Sequence, residues 1–136
     1  PLRSQSVDAI VSDLPFGQKC LNSNKLAQVL PLLVDEMARI LRPTSGRAVL
    51  LCGTFFPVLE AVHDCNVRQP QTWQLPCSSV FPVNIGGIQA WVVKVFRGSA
   101  EFTRLPNYTN RVKKIAENRE RIARHKSPEV LSKLQS

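Results

Sequence analysis

Apolar residues over the first hundred positions fall into runs and stripes whose period switches between two and about 3.6, as alternating strands and helices require. Val7-Asp8-Ala9-Ile10-Val11-Ser12 is a short, mostly apolar, β-branched run, which reads as a buried strand. It stops at Asp13, and Pro15 with Gly17 prevents its continuation. Leu26, Val29, Leu30, Leu33, Met37, Ile40 and Leu41 then recur at three- and four-residue steps, the spacing of a helix with one buried face. Arg42-Pro43 ends that helix and Ser45-Gly46 makes the turn. Pro31 leaves two readings open: the helix starts near Asn24 and kinks at the proline, or it begins just before it.

Arg47-Ala48-Val49-Leu50-Leu51-Cys52 is a continuous apolar run, expected of a central strand covered on both faces. Strand, helix and strand in this order make a parallel crossover unit. A weaker helical pattern follows from Phe55 to Cys65, with Pro57 in its first turn. Ser79-Val80-Phe81-Pro82-Val83, the turn Asn84-Ile85-Gly86-Gly87 and the run Ile88 to Phe96 read as two strands around a glycine-rich turn. The fold class is therefore α/β, with parallel strands first and an antiparallel pair last. Tyr108 to Lys126 carries Val112, Ile115, Ile122 and Ala123 near one face and basic residues around it, the pattern of an exposed amphipathic helix.

Charge divides the chain. The whole carries +8, yet residues 1–102 hold nine Lys/Arg against seven Asp/Glu, and residues 103–136 hold nine against three. A basic tail on a near-neutral body suggests a polyanionic partner. Arg111, Lys113 and Lys114 are its candidate phosphate contacts, and a merely solvated helix face is the alternative. Cys20, Cys52, Cys65 and Cys77 form no close pair, so they read as thiols in a reducing compartment rather than as a metal cluster. No apolar run reaches the length of a membrane span. These features lead us to expect no metal, no membrane contact and a cytoplasmic or nuclear location. His63 and His125 have no evident partner, and Asp8, Asp35 and Glu36 read as surface or loop carboxylates. Trp73, Trp91, Phe81 and Phe96 read as core or sheet residues.

The candidate chemistry lies in Asp13-Leu14-Pro15-Phe16-Gly17, where a strand gives way to a loop at the end on which open α/β sheets bind ligands. A purine amino group is a poor nucleophile because its lone pair is delocalised into the ring, so an enzyme must hold and aim it. The Asp13 carboxylate can accept one N–H. Pro15 biases Leu14 toward an extended backbone, turning its carbonyl to the second N–H. Phe16 offers a ring for the base to stack on, and Gly17 permits a close turn. In the simpler alternative this is only a turn, with Asp13 capping a loop and Phe16 in the core.

Residues 1–102 resemble the THUMP-domain-containing tRNA guanine-N2 methyltransferases. The likeness is carried by Leu2-Arg3, by Ser6 through Gly17, by Glu36-Met37-Ala38-Arg39, by Gly46 through Leu51, and by Val83-Asn84-Ile85-Gly86-Gly87. The resemblance implies the C-terminal half of a Rossmann-like class I methyltransferase sheet over residues 1–102, and the basic tail at 103–136 lies outside it. It implies S-adenosylmethionine as methyl donor, tRNA as substrate and a small zinc-containing activator subunit as partner. It gives Asp13, Leu14, Pro15 and Phe16 the catalytic loop, Phe16 and Gly17 the contact with the base, and Asp13 the edge of the cofactor site. The family's glycine-rich cofactor loop has no counterpart among these residues, so the chain by itself is expected to be inactive. Two other readings keep the loop or the fold: an amino-methyltransferase for adenine N6, cytosine N4 or a protein amide, and a non-catalytic RNA-binding protein.

Overall fold

The computed structural model describes residues 1–14, 23–74 and 79–104, with the single positions 114, 117 and 121. Pro1–Thr103 and Arg104–Ser136 are two compact units. In the second, Lys114, Glu117 and Arg121 are helical and exposed. The rest of the helix expected over Tyr108 to Lys126, including Arg111 and Lys113, lies outside the described residues, as do Cys20, Cys77 and His125.

The first unit is built from β1 (Ala9–Asp13), α1 (Ser23–Ile40), β2 (Arg47–Cys52), α2 (Phe56–Arg68), β3 (Ser79–Ile85) and β4 (Ile88–Phe96). Its four-stranded sheet has the order β1-β2-β4-β3. β1 and β2 are parallel, whereas β4 runs antiparallel to both β2 and β3. This is the mixed α/β sheet expected from the apolar pattern. Among the described residues, no helix is long and apolar enough to cross a membrane.

Strand alternation sorts the sheet into two unlike faces. Ala48, Leu50, Cys52, Val93 and Val95 are buried on one, where they join Leu30, Val34 and Met37 of α1 and Val58, Val62 and Cys65 of α2 in a single core. Neither helix covers the other face, which presents Val11 at 83% exposure, Phe81 at 47%, and exposed Arg47 and Lys94. Two expectations are corrected here. β1 is a half-exposed edge strand rather than a buried one, and β2 is covered on one face only. An all-apolar strand reads the same in both cases, because Val49 and Leu51 are half-buried beside their neighbours without a helix above them.

Other boundaries shift for local reasons. Val7 forms an isolated parallel bridge to Leu41 instead of opening β1, and Asp8 is an exposed partner of Arg42 at 2.9 Å. α1 runs through Pro31 from Ser23. The proline cannot donate to the Ala27 carbonyl, yet packing of Leu30, Val34 and Met37 into the core holds the helix on both sides of it. α2 extends to Arg68, one turn beyond the expected end, and closes with the Gln69 amide on the Cys65 carbonyl. Phe81 is on the outer face under Lys94, whose Nζ is 5.5 Å from the ring centroid, while Trp91 packs edge-on to Phe55 at 4.8 Å. His63 is exposed beside Asp64.

Two buried charges tie the unit together. Asp35, 3% exposed, accepts a 2.9 Å hydrogen bond from Arg68, so this carboxylate joins α1 to α2 and is not on the surface as expected. Arg97 is fully buried, donating from Nε to the Ala38 carbonyl at 3.0 Å, from Nη2 to Ala100 at 2.9 Å and from Nη1 to Thr72. Burial pulls its guanidinium below the ordinary arginine value. Next to it Gly98 is required sterically, since a Cβ there would collide with the Gln71 carbonyl.

Cys52 and Cys65 are buried free thiols. Burial pushes Cys52 up to about 11, and burial with the Asp35 carboxylate pushes Cys65 up to about 12. The unfolded chain ionises both nearer their ordinary value of 9.0. The stability they contribute is thus present below that value and is lost as pH rises toward the folded values. Chemical-denaturation midpoints should fall between about pH 8.5 and 11, and the fall should be shallower in Cys65→Ala. A midpoint independent of pH over that range would contradict the burial.

Candidate functional site

The carboxyl ends of β1 and β2 open on the same edge of the sheet because the two strands are parallel. Asp13 is the last residue of β1 and aligns with Leu51; the row continues through Val92 to Phe81. All four therefore belong to the face that α1 and α2 leave uncovered. Asp13 is exposed there, and among the described residues no hydrogen bond or ion pair engages its carboxylate.

Leu14 is held in the opposite way. Its side chain is 5% exposed and belongs to the core, and its amide donates to the Leu51 carbonyl at 2.8 Å. Side chain and N–H are both committed, so the backbone direction is set just before the loop begins. Pro15, Phe16 and Gly17 lie outside the described residues.

The β3–β4 hairpin overhangs this edge. Trp91 pairs with Cys52 at the end of β2, and the hairpin continues through Ala90–Val83, Gln89–Asn84 and Ile88–Ile85. Its turn places Gly86 at φ +57° and Gly87 at φ +85°, conformations that favour glycine. The Asn84 side-chain oxygen accepts the Gly87 amide at 2.8 Å and braces the turn.

An adenosyl-sulfonium donor needs a glycine-bearing turn that opens a helix after a strand, where amides can meet the ligand. Among the described glycines, Gly53 lies in the turn between β2 and α2, and the others stand elsewhere. Gly46 packs on the Arg42 carbonyl, Gly98 on Gln71, and Gly86 with Gly87 joins two strands. Asp13 and Gly53 follow the carboxyl ends of the parallel strands β1 and β2, the edge such a ligand would border.

A parallel crossover and an antiparallel finish are the arrangement of part of a Rossmann-like methyltransferase fold. The chain belongs to the RMKL-like methyltransferase domain family, whose model matches residues 1–80. It is similar to the human tRNA (guanine(6)-N(2))-methyltransferase THUMP3, with 34% identity over 105 residues, covering 75% of this chain and 19% of that protein. The Mus musculus protein of that name matches at the same identity and coverage. The Bos taurus U6 snRNA (guanine-N(2))-methyltransferase THUMPD2 is 47% identical over 51 residues, which is 38% of this chain and 9% of that protein. The chain thus spans less than a fifth of the length of the relatives it matches.

Sequence reasoning placed Asp13 correctly at the end of a strand, but missed what supports the fold below it. Alternation alone puts Arg97 on the same face as Val93 and Val95, a signal that it points inward. Asp35 likewise sits one position from Val34 and three from Ala38, within the buried stripe of α1.

Proposed function

We propose that this chain is the acceptor-binding part of an S-adenosylmethionine-dependent tRNA guanine-N2 methyltransferase. The observation that carries this reading is the exposed, unengaged Asp13 carboxylate at the carboxyl end of a parallel strand, in a member of a methyltransferase family. In this reading Asp13 accepts one N–H of the guanine amino group and the Leu14 carbonyl accepts the other. The buried Leu14 side chain anchors that carbonyl. Pro15 keeps the backbone extended, Phe16 stacks on the base and Gly17 lets the loop close around it. As the nitrogen takes on a methyl group and positive charge, the nearby carboxylate offsets that charge.

Residues 1–102 supply this half-site, and the basic residues Arg111, Lys113 and Lys114 of the tail contact RNA phosphates. S-adenosylmethionine brings an electrophilic methyl group, with Asp13 at the edge of its site and the main part of its cradle supplied by residues other than those described. A small zinc-containing activator subunit is the expected protein partner. The match to a U6 snRNA methyltransferase over 51 residues favours a second reading in which the acceptor is a guanine of a small nuclear RNA.

The test is to incubate the full-length protein containing this chain, with its activator, with tRNA or U6 snRNA and S-adenosylmethionine, and to analyse nucleosides by mass spectrometry. N2-methylguanosine should appear in one RNA and should be absent when residues 1–136 are supplied alone. Methylation confined to adenine, cytosine or protein would contradict the reading.

A further inference from the structure

The hairpin tip carries an exposed apolar pair that the catalytic loop does not use. Ile85 and Ile88 are direct cross-strand partners flanking the turn, 48% and 66% exposed. Exposed isoleucines beside a two-glycine turn stabilise nothing in the described core. The turn is braced by the Asn84 side chain, and glycines at 86 and 87 allow its tight geometry, so the pair is presented at the tip of a defined hairpin.

Strand register fixes the relation of the pair to Asp13. Val92 lies in the Asp13 row, and Ile88 is four residues further along β4. An even number of residues keeps Ile88, and with it Ile85, on the same sheet face as Asp13. The displacement is toward the ligand-binding edge, roughly 13 Å along the strand and roughly 10 Å across two strand spacings. An isoleucine tip thus stands roughly 16 Å from the carboxylate, toward the ligand-binding edge and to one side of it.

A guanine amino group within a helix cannot enter a pocket unless the base leaves its stack, and proteins that unstack bases often fill the gap with Ile, Leu, Phe or Met side chains. We infer that Ile85 and Ile88 form an apolar wedge that enters the RNA stack where the target guanine has left it, holding the base out toward Asp13. This inference rests on the guanine-methyltransferase reading and adds to it the residues that bring a paired guanine within reach. The wedge residues position the substrate and touch no reacting atom.

The experiment uses the full-length protein, with its activator, and two RNAs that differ only at the target. In one the guanine is paired; in the other its partner nucleotide is removed, leaving it unpaired. The double variant Ile85→Ser, Ile88→Ser should lose at least about tenfold in single-turnover methylation of the paired RNA and remain within about twofold of wild type on the unpaired one. The variant Ile85→Leu, Ile88→Leu keeps an apolar tip and should retain activity on both, which guards against a folding defect. A fluorescent 2-aminopurine next to the target should brighten with wild type and respond much less with the serine variant.

Equal losses on the two RNAs, or no loss on either, would overturn the wedge while leaving the methyltransferase reading intact. A change in oligomeric mass accompanying an equal loss would assign the tip instead to contact between copies, and so would overturn it as well. Wild-type protein that methylates guanine in neither RNA would sink the methyltransferase reading and the wedge together.

Discussion

Asp13→Ala in the full-length protein should lower methyl transfer to guanine by roughly 10²–10³-fold, the loss seen when one electrostatic stabiliser is removed from an active site. Affinity for the guanine RNA should fall by about tenfold or more, the cost of one hydrogen bond to a charged group, while affinity for an RNA lacking that amino group should change little because phosphate contacts dominate it. The argument rests on position and availability. Asp13 ends a parallel strand at the ligand-binding edge, is exposed, and has no described partner to compete for its oxygens. Its neighbour Leu14 is pinned by the core and by the Leu51 carbonyl, so the loss of the carboxylate leaves the local backbone in place. Asp13→Asn should fall between wild type and alanine, since an amide oxygen still accepts one N–H but brings no negative charge. A rate unchanged by Asp13→Ala would remove the enzyme reading of this loop.

The largest effect on stability is expected at Asp35. Its side chain is 4% exposed and pairs with Arg68, itself 13% exposed, at 2.9 Å. Asp35→Ala deprives a buried guanidinium of its carboxylate, a change that costs about 3–5 kcal/mol in comparable buried pairs. Replacing both partners, Asp35→Leu with Arg68→Met, should be much less harmful because neither member of the pair is then buried without the other. The pair spans α1 and α2, which flank the two strands that end at the site. Urea unfolding of the three proteins measures the difference. A double variant as unstable as Asp35→Ala would show that the shape of the site, rather than the stranded charge, sets the cost.

Much of this architecture was legible in the residues because local pattern and tertiary role coincide. The β-branched run ending at Asp13, the stripe from Leu26 to Leu41 and the two-glycine turn each favour one backbone geometry, and the fold follows it. The exposure of β1 was legible from the half-sheet reading, which uncovers one side of its first strand, and not from local pattern. Ala9, Ile10 and Val11 are equally compatible with a strand covered on one face or on two, and which applies depends on elements packed from elsewhere. Pro31 left two helix starts open because local propensity disfavours an interior proline, and packing of the residues on both sides decided the matter. Asp35 and Arg97 were misread or overlooked because charge alone marks a residue as surface, whereas position within a periodic stripe marks it as buried. At the site, the strand end and its carboxylate could be read directly. The commitment of the Leu14 side chain to the core could not, since one apolar residue in a loop carries no period.

The direct measurement of the central claim is the coupling between the Asp13 carboxylate and the amino group of the target base. Binding of the full-length protein is compared for RNA with guanine and for RNA with inosine, which lacks only that amino group, using wild type and Asp13→Ala. Inosine should weaken wild-type binding by about 1.5–3 kcal/mol, the range for a hydrogen bond to a charged group, and should cost the alanine variant little. An inosine penalty of the same size in both proteins would contradict the account, because the amino group would then be held by something other than Asp13.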